Sequence, residues 1–154
     1  MRIAYAELGA GPDVVCLPPF PLSHLDEMWR LPGVAHWYEH FARFAHVVLY
    51  DARGSGLSDR EGSAAADCSL EAMSRDLEAV IAAAQLRAPS LVGFFNSTPV
   101  VLDFAIHHHE TPAVVLWGGW FLRRSLNGKI CNRMAPGALT MDSKRALNSL
   151  SEWL

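Results

Sequence analysis

The 154-residue sequence is poor in basic side chains, in cysteine and in long apolar runs, and each shortage excludes a class of protein. Lysine and arginine number 13 against 16 acidic residues, and a net charge of −3 offers no clustered positive charge for nucleic acid. No apolar run approaches the roughly 20 residues of a membrane-spanning helix, and no apolar leader precedes Gly9. The cysteines, Cys16, Cys68 and Cys131, are odd in number and far apart, which indicates free thiols in a reducing compartment. We therefore expect a cytoplasmic protein with neither nucleic-acid nor membrane partners.

What the sequence does contain is a core-forming composition with an alternating pattern. Hydrophobic residues make up 51% of the chain and charged residues 19%, which predicts one folded domain. Short apolar runs predict buried strands at residues 13–17, 46–50, 90–93 and 113–117, with a weaker strand at 3–8. Helical periodicity predicts helices at residues 34–45 and 70–86, and a third that starts near Pro99. The alternation predicts an α/β fold with a mostly parallel sheet of about five strands and helices on both faces.

The pattern loosens after Gly118. We expect residues 1–120 to form the core of a single domain of residues 1–154, and residues 121–154 to begin a cap that ends in a helix over residues 143–154. The strand at residues 113–117 would then lie at or near the edge of the sheet, close to Trp117. This predicts either self-association through that edge or coverage of it by the terminal helix.

Two motifs resemble those of the α/β-hydrolases. Residues 50–59 read Tyr-Asp-Ala-Arg-Gly-Ser-Gly-Leu-Ser-Asp, which is similar to the D-x-R-G-x-G-x-S turn after that family's fourth strand. One helix later, residues 91–100 read Leu-Val-Gly-Phe-Phe-Asn-Ser-Thr-Pro-Val, the frame of the G-x-S-x-G nucleophile elbow. More narrowly, the proline-rich residues 18–21 followed by Ser23-His24-Leu25 resemble the hydrolase-like domains of some bacterial LuxR-type regulators and cyclase fusions. The resemblance covers nearly the whole chain and implies a partial α/β-hydrolase fold with the start of a cap.

The residue types that the resemblance requires for catalysis are not at their positions. Phe95 occupies the place of the nucleophilic serine, and Ser97 takes the place of the second glycine. The family's acid and histidine follow later strands, in the order Ser, Asp/Glu, His, and no residue of this sequence matches either role. A strained elbow lowers the stability of the fold by about 1–3 kcal/mol, and with Phe95 at its apex the strain would serve no catalytic purpose. We therefore expect a relaxed turn without serine-type catalysis.

The backbone donors of an oxyanion hole do not depend on the side chain at the apex. The resemblance places one N–H at Asn96 and the other at Phe20, the one residue among positions 18–21 that is not proline. Such donors would hold the carbonyl or carboxylate of a small ligand, with no cofactor. We expect the surrounding pocket to be lined by Ser23, His24, Phe94 and Ser97.

Three clusters of chemically active side chains have simpler explanations. The H-x-x-E-H sequence of His36 and His40 matches a zinc-binding signature, but the two histidines lie opposite the apolar stripe of their helix, on its solvent face. Consecutive residues 107–109, all histidine, cannot chelate one ion from one helix, and they suit a helix C-terminus. Asp51, Arg53 and Asp59 resemble the structural charges of the family's turn, so we expect no metal site.

These observations predict an α/β-hydrolase-fold protein that lacks the catalytic nucleophile. Its function would be that of a non-catalytic small-molecule binding or sensor module, or of a fragment of a longer protein. Two alternatives remain open at this point: a serine esterase-type hydrolase, which rests on the family alone, and an interaction or assembly domain, which rests on the edge near Trp117.

Overall fold

The computed structural model describes residues 1–62 and 67–118, and the backbone of three further strands at residues 120–124, 130–134 and 138–142. The predicted helix over residues 143–154 lies outside the described residues. The strands are β1 (Tyr5–Gly9), β2 (Asp13–Leu17), β3 (His46–Tyr50), β4 (Ser90–Phe94), β5 (Ala113–Trp117), β6 (Trp120–Arg124), β7 (Ile130–Met134) and β8 (Ala138–Asp142). The helices are α1 (Leu25–Trp29), α2 (Pro32–Phe41), α3 (Leu70–Ala83) and α4 (Thr98–His107), with a 3-10 turn at Phe95–Ser97.

Six of the strands form one mixed sheet in the order β1-β3-β2-β4-β5-β8. The four central strands, β3, β2, β4 and β5, are parallel, and β1 and β8 pair antiparallel with their neighbours at the two edges. The strands β6 and β7 form a separate antiparallel pair. The predicted fold class, a mostly parallel sheet with helices on both faces, is confirmed.

Apart from Asp13, His46 and Ser90 at their first positions, the central strands are apolar because they are covered on both faces. In β2, Val15 and Leu17 belong to the core beneath α3 and α4, whereas Val14 and Cys16 belong to the core beneath α1 and α2. The start of α3 is fixed as predicted, since the Ser69 hydroxyl accepts a hydrogen bond of 3.3 Å from the backbone N–H of Ala72.

β5 lies near the sheet edge, as predicted, but it is not the edge strand itself. β8 pairs with β5 along its whole length, from Ala113 opposite Asp142 to Trp117 opposite Ala138. β8 therefore separates β5 from the edge on that side of the sheet. Within the part of the chain that the structure describes, no helix is long and apolar enough to cross a membrane.

Candidate functional site

The site predicted from the sequence lies where the carboxyl ends of β2 and β4 meet. These strands are neighbours, with Leu17 opposite Gly93, so the loop after β2 and the elbow after β4 leave the sheet side by side. Ligands of parallel α/β sheets bind in this kind of crevice, outside the carboxyl ends of the strands. The side-chain amide of Asn96 donates a hydrogen bond to the backbone carbonyl of Phe20 and joins the two segments directly.

The elbow, residues 93–97, keeps the strained geometry of a nucleophile-bearing turn. Phe95 has φ of +52°, in the left-handed region that L side chains rarely adopt, and its side chain is 50% exposed at the apex. The expectation of a relaxed elbow is therefore wrong. The reason lies below the turn: a Cβ at Gly93 would lie 2.7 Å from the Val101 side chain and 3.3 Å from the Thr98 Cα. The close approach of β4 and α4 fixes the turn whatever residue occupies its apex.

Ser97 holds the elbow from beneath and is not positioned as a nucleophile. Its side chain is buried, and its Oγ accepts a hydrogen bond of 2.8 Å from the backbone N–H of Phe94. The single hydroxyl proton is within reach of the Phe94 carbonyl at 2.9 Å and of the Leu17 carbonyl at 3.2 Å. Ser97 stands where the family's motif has its second glycine. Its hydroxyl forms hydrogen bonds that connect the ends of β2 and β4.

The side chain of Ser23, the first of the two polar residues after the proline-rich segment, is likewise hydrogen-bonded within the protein. Its Oγ lies 2.7 Å from the Ser55 Oγ and accepts a hydrogen bond of 2.9 Å from the Ala52 backbone N–H. His24 differs, because its Nδ1 is buried and has no hydrogen-bond partner among the described residues. Of this pair, His24 is the residue whose side chain has a buried polar atom without a partner among the described residues.

Asp51, in the turn after β3, positions the crevice from below. Its side chain is fully buried, and the carboxylate accepts hydrogen bonds from the backbone N–H of Leu25, at 3.0 and 3.2 Å, and of Leu57, at 2.8 Å. The first of these caps α1 from a distant part of the chain. Gly56 has φ of +54°, and a Cβ there would lie 2.1 Å from the carboxylate. The glycine is therefore required by the close approach of Asp51.

A buried ion pair anchors the same turn to α3. The Arg53 guanidinium donates two hydrogen bonds of 2.7 Å to the two carboxylate oxygens of Asp76, from Nε and from Nη2. This hydrogen-bonded carboxylate raises the pKa of Arg53. Asp59 pairs with Arg2 at 3.2 Å near the surface. The interpretation of Asp51, Arg53 and Asp59 as structural charges is confirmed.

The surface above the strand ends is aromatic. Phe95 is 50% exposed, and Trp117, at the end of the neighbouring β5, is 47% exposed. Phe94 pairs with Trp117 across β4 and β5, and its ring packs edge-on against Trp37 of α2 at a centroid distance of 6.0 Å. Gly118 has φ of +62°, and a Cβ there would lie 3.0 Å from the Phe95 ring. The Phe95 ring therefore lies over the end of β5.

The residues with metal-binding or thiol chemistry do not join this site. His36 and His40 are exposed on α2, as the periodicity predicts. Within residues 1–62 and 67–118, no group of three or more His, Cys, Asp or Glu side chains is arranged to hold a metal ion. Burial raises the pKa of the Cys16 thiol to about 12, so it is protonated and unreactive at neutral pH.

Two clefts in the described part of the molecule lie away from the elbow. One, of about 510 Å³, lies between β1 and α1 and is lined by Glu7, Leu25 and Trp29 among others. The second, of about 230 Å³, lies at the C-terminal ends of α3 and α4. Phe20, Phe95 and Asn96 line neither of them.

Comparison with known proteins relates this architecture to the α/β-hydrolases. No family model and no curated sequence matches the chain. An α/β-hydrolase-fold protein from Burkholderia ambifaria is 27% identical, with a TM-score of 0.52, over 70% of this chain and 35% of that one. An epoxide hydrolase from Vigna radiata is 24% identical, with a TM-score of 0.64, over 81% and 39%. A bromoperoxidase from Bacillus anthracis is 24% identical, with a TM-score of 0.59, over 82% and 44%.

The chain is thus an α/β-hydrolase-fold protein, as the motifs at residues 50–59 and 91–100 predict. It spans well under half the length of the solved structures that it resembles. Residue types alone could locate the elbow and the proline-rich loop after β2. Three features have no signal in the sequence, because each depends on how distant segments pack together. They are the contact of Asn96 with Phe20, the capping of α1 by Asp51, and the lack of a hydrogen-bond partner for His24 Nδ1 among the described residues.

Proposed function

We propose that this chain is a non-catalytic α/β-hydrolase-fold module that binds a small carbonyl- or carboxylate-bearing ligand at the elbow. The observation that carries the proposal is Phe95, which holds the left-handed apex conformation and presents an aromatic ring where the fold places a nucleophile. Gly93 and Ser97 support the framework of the elbow, so the proposal rests on the residue at its apex and not on a loss of the turn itself.

The nearby hydroxyl groups support a non-catalytic role. Ser23, Ser55 and Ser97 are all buried, and each is hydrogen-bonded to backbone or to another serine. A serine nucleophile needs an exposed Oγ with a base within about 3 Å. None of these three side chains meets the first condition, which disfavours a serine esterase-type hydrolase.

The half-exposed rings of Phe95 and Trp117 support ligand binding at the same place. Aromatic side chains supply apolar contact area, while the Asn96 amide and the Phe20 segment supply polar groups beside it. A ligand with a flat apolar body and one carbonyl or carboxylate fits this combination. Trp117 also provides a fluorescent reporter within the site.

The test is a titration of tryptophan fluorescence with benzoate, with benzyl alcohol and benzylamine as neutral and cationic analogues. We expect benzoate to bind at least about fivefold more tightly than benzyl alcohol, because the amide and backbone donors favour an anion. Asn96→Ala is expected to weaken benzoate binding, and Glu71→Gln, on the exposed start of α3, to leave it unchanged. Equal affinities for the three compounds would contradict a carboxylate-selective site.

The catalytic question has its own test. A fluorophosphonate probe is expected to leave the protein unlabelled, and p-nitrophenyl acetate to be turned over no faster than by buffer. Stoichiometric labelling that is prevented by prior addition of a serine-directed inhibitor would support the esterase alternative instead.

A second candidate, an assembly domain, is favoured by the exposure of Phe95 and Trp117 on one surface. Exposed aromatic side chains at the ends of the neighbouring strands β4 and β5 are typical of surfaces that bind other molecules. If this surface joins two copies of the chain, light scattering will show a mass that rises with concentration, and Trp117→Glu will abolish the rise. A constant monomer mass up to millimolar concentration would exclude this candidate.

A further inference from the structure

A second polar cluster lies at the opposite end of the sheet from the elbow. The cleft of about 230 Å³ is formed by the C-terminal halves of α3 and α4 and by the segments that lead into the amino ends of β4 and β5. Its polar residues are Glu78, His108, Glu110 and Thr111, and Leu86 and Phe104 give it an apolar wall. None of these residues contributes to the elbow or to the network around Asp51.

The electrostatics of the cleft favour positive charge. The His108 ring stacks on Phe104, with centroids 3.8 Å apart and planes inclined by 12°. Its Nε2 lies 3.5 Å from a Glu78 carboxylate oxygen, and its Nδ1 lies 3.3 Å from a Glu110 carboxylate oxygen. The two carboxylates together carry two negative charges, whereas one histidine carries at most one positive charge. The cluster therefore has a place for one more positive charge.

Two further features add to this negative potential. The helices α3 and α4 both end at the cleft, and the C-terminal end of a helix carries partial negative charge. Hydrogen bonds from the Glu110 backbone N–H and from His108 hold the pKa of Glu110 below its ordinary value, so its carboxylate stays ionised under mildly acidic conditions. An anionic ligand would be repelled here.

Thr111 supplies an independent sign of a missing partner. The residue is 1% exposed and lines the cleft, and its Oγ1 has no hydrogen-bond partner among the described residues. Its backbone N–H is satisfied by the His108 carbonyl at 3.0 Å. A buried hydroxyl without a partner destabilises a protein, and such groups are rare in native structures. A ligand that brings a hydrogen-bonding group into the cleft would satisfy it.

We propose that this cleft binds a small primary amine with an apolar body. The ammonium group lies beside the Glu110 carboxylate and donates to it and to the Thr111 hydroxyl, while the Glu78 carboxylate on the other side of His108 adds negative potential and the body of the ligand lies against Phe104 and Leu86. A metal ion fits less well, because the two carboxylates face opposite nitrogens of His108 and do not converge on one point. An ammonium group has three N–H donors and can satisfy the Glu110 carboxylate and the neighbouring Thr111 hydroxyl without a second carboxylate.

The proposal is tested with 2-phenylethylamine, titrated into the whole chain at pH 8 and low salt and followed by amide NMR shifts. Two compounds of similar shape serve as controls, 2-phenylethanol and 3-phenylpropanoate. We expect the amine to bind at least about tenfold more tightly than the alcohol and the carboxylate to cause no saturable shift. The shifts are expected at residues 108–111 and at the end of α3, and not at residues 93–97.

Three variants locate the binding groups. Thr111→Val keeps the shape and removes the hydroxyl, so we expect amine affinity to fall about fivefold while the melting temperature of the free protein stays the same or rises. Glu110→Gln is expected to weaken the amine at least about fivefold, and the control Glu71→Gln, at the far end of α3, to leave it unchanged.

Each opposite result overturns the proposal. Equal binding of amine and alcohol would show an apolar cleft without charge selection. Unchanged amine affinity in Thr111→Val, or a lower melting temperature of that variant, would show that the hydroxyl already has a partner in the free protein. If Thr111→Val fails to fold, the comparison of the three ligands on the unaltered chain and the Glu110→Gln variant decide alone. These outcomes do not depend on benzoate binding at the elbow.

Discussion

The two loops beside the crevice stabilise the fold in different ways. In the turn after β3, residues 51–59, the charged groups are enclosed in hydrogen bonds, with Asp51 capping α1 and Arg53 paired to Asp76. In the elbow after β4, the left-handed geometry is present and the residue at its apex is a phenylalanine. In the first loop the charged side chains support the fold, whereas in the second the backbone contacts do so and the apex side chain is half exposed.

The difference shows which residues the architecture needs. Asp51, Arg53 and Gly56 support the packing of three elements, so a change at any of them affects the whole molecule. Phe95 is half exposed and makes no such connection, and the elbow beneath it is fixed by Gly93 and Ser97. The nucleophile position is therefore free to change while its surroundings are not. The following substitutions test this contrast.

The largest effect is expected from breaking the buried ion pair. Asp76→Ala leaves the Arg53 guanidinium, whose side chain is 7% exposed, without its carboxylate. Removing one partner of a buried pair costs about 3–5 kcal/mol, so the urea midpoint should fall severely. The matched control is Glu27→Ala, which breaks the exposed pair of Glu27 with Arg30 and should cost less than about 1 kcal/mol. Similar losses in the two variants would show that the turn is not the anchor of the fold.

The next largest effect is expected at Gly56. Gly56→Ala places a methyl group against the Asp51 carboxylate at a backbone φ of +54°, so strain and steric clash add. We expect a loss of at least about 2 kcal/mol in the free energy of unfolding. Gly33→Ala is the control, since nothing lies within 4 Å of a Cβ there and alanine favours the helix, which should give a gain of about 0.5–1 kcal/mol. A tolerated Gly56→Ala would contradict the tight geometry around Asp51.

The central sheet could be predicted from the sequence because its strands are short apolar runs between turn residues. The predicted strand at 90–93 differs from β4 by one residue. The short helix α1 could not be predicted, since its first N–H is capped by Asp51 from 26 residues away. The predicted apolar stripe of α2 contains both Trp37 and Tyr38, but Tyr38 is buried while Trp37 is 41% exposed, so the buried face is narrower than predicted.

The elbow was predicted wrongly for an energetic reason. The energetic cost of a left-handed backbone at phenylalanine can be estimated from the residue type alone. The packing of Gly93 against Val101 and Thr98 stabilises the turn and offsets this strain. Because the contact forms only when β4 and α4 are assembled, the sequence does not show it. The strands β6, β7 and β8 were not predicted either, because the sequence after Gly118 has neither a clean apolar run nor a regular period. The uncommitted groups of His24 and Thr111 likewise follow from burial and not from any sequence pattern.

A smaller effect is expected at the amino ends of the strands, far from both loops. His46 bridges Asp13, at 2.9 Å from Nδ1, and Glu7, at 3.0 Å from Nε2, and the hydrogen bond to Asp13 contributes most to raising the pKa of His46. A raised pKa in the folded state stabilises the fold fully below the ordinary value of 6.5, and this stabilisation is lost as the pH rises through the folded value.

The measurement is the urea midpoint from pH 5.5 to 9. The chain should lose about 1 kcal/mol or less across that window relative to His46→Gln, and the control His36→Gln, on the exposed face of α2, should keep the dependence of the unaltered chain. If the difference between the chain and His46→Gln does not change with pH, the bridge contributes no charge-dependent stability. If it grows with pH, the sign of the pKa shift is wrong.

The smallest effect on stability is expected at the apex itself. Phe95→Asn replaces the ring with a residue that tolerates the left-handed region, so the relief of strain should offset the loss of contact with the Gly118 backbone, leaving a change within about 1 kcal/mol. Phe95→Ser should fold equally well and still show no turnover of p-nitrophenyl acetate, because a serine alone lacks the base that activates it. A burst of p-nitrophenol stoichiometric with Phe95→Ser would show that a base is already in place beside the elbow, and His24, with its unpartnered Nδ1, would be the first residue to test. A large loss of stability in Phe95→Asn would instead place Phe95 among the residues that the architecture needs, and would remove the contrast between the two loops.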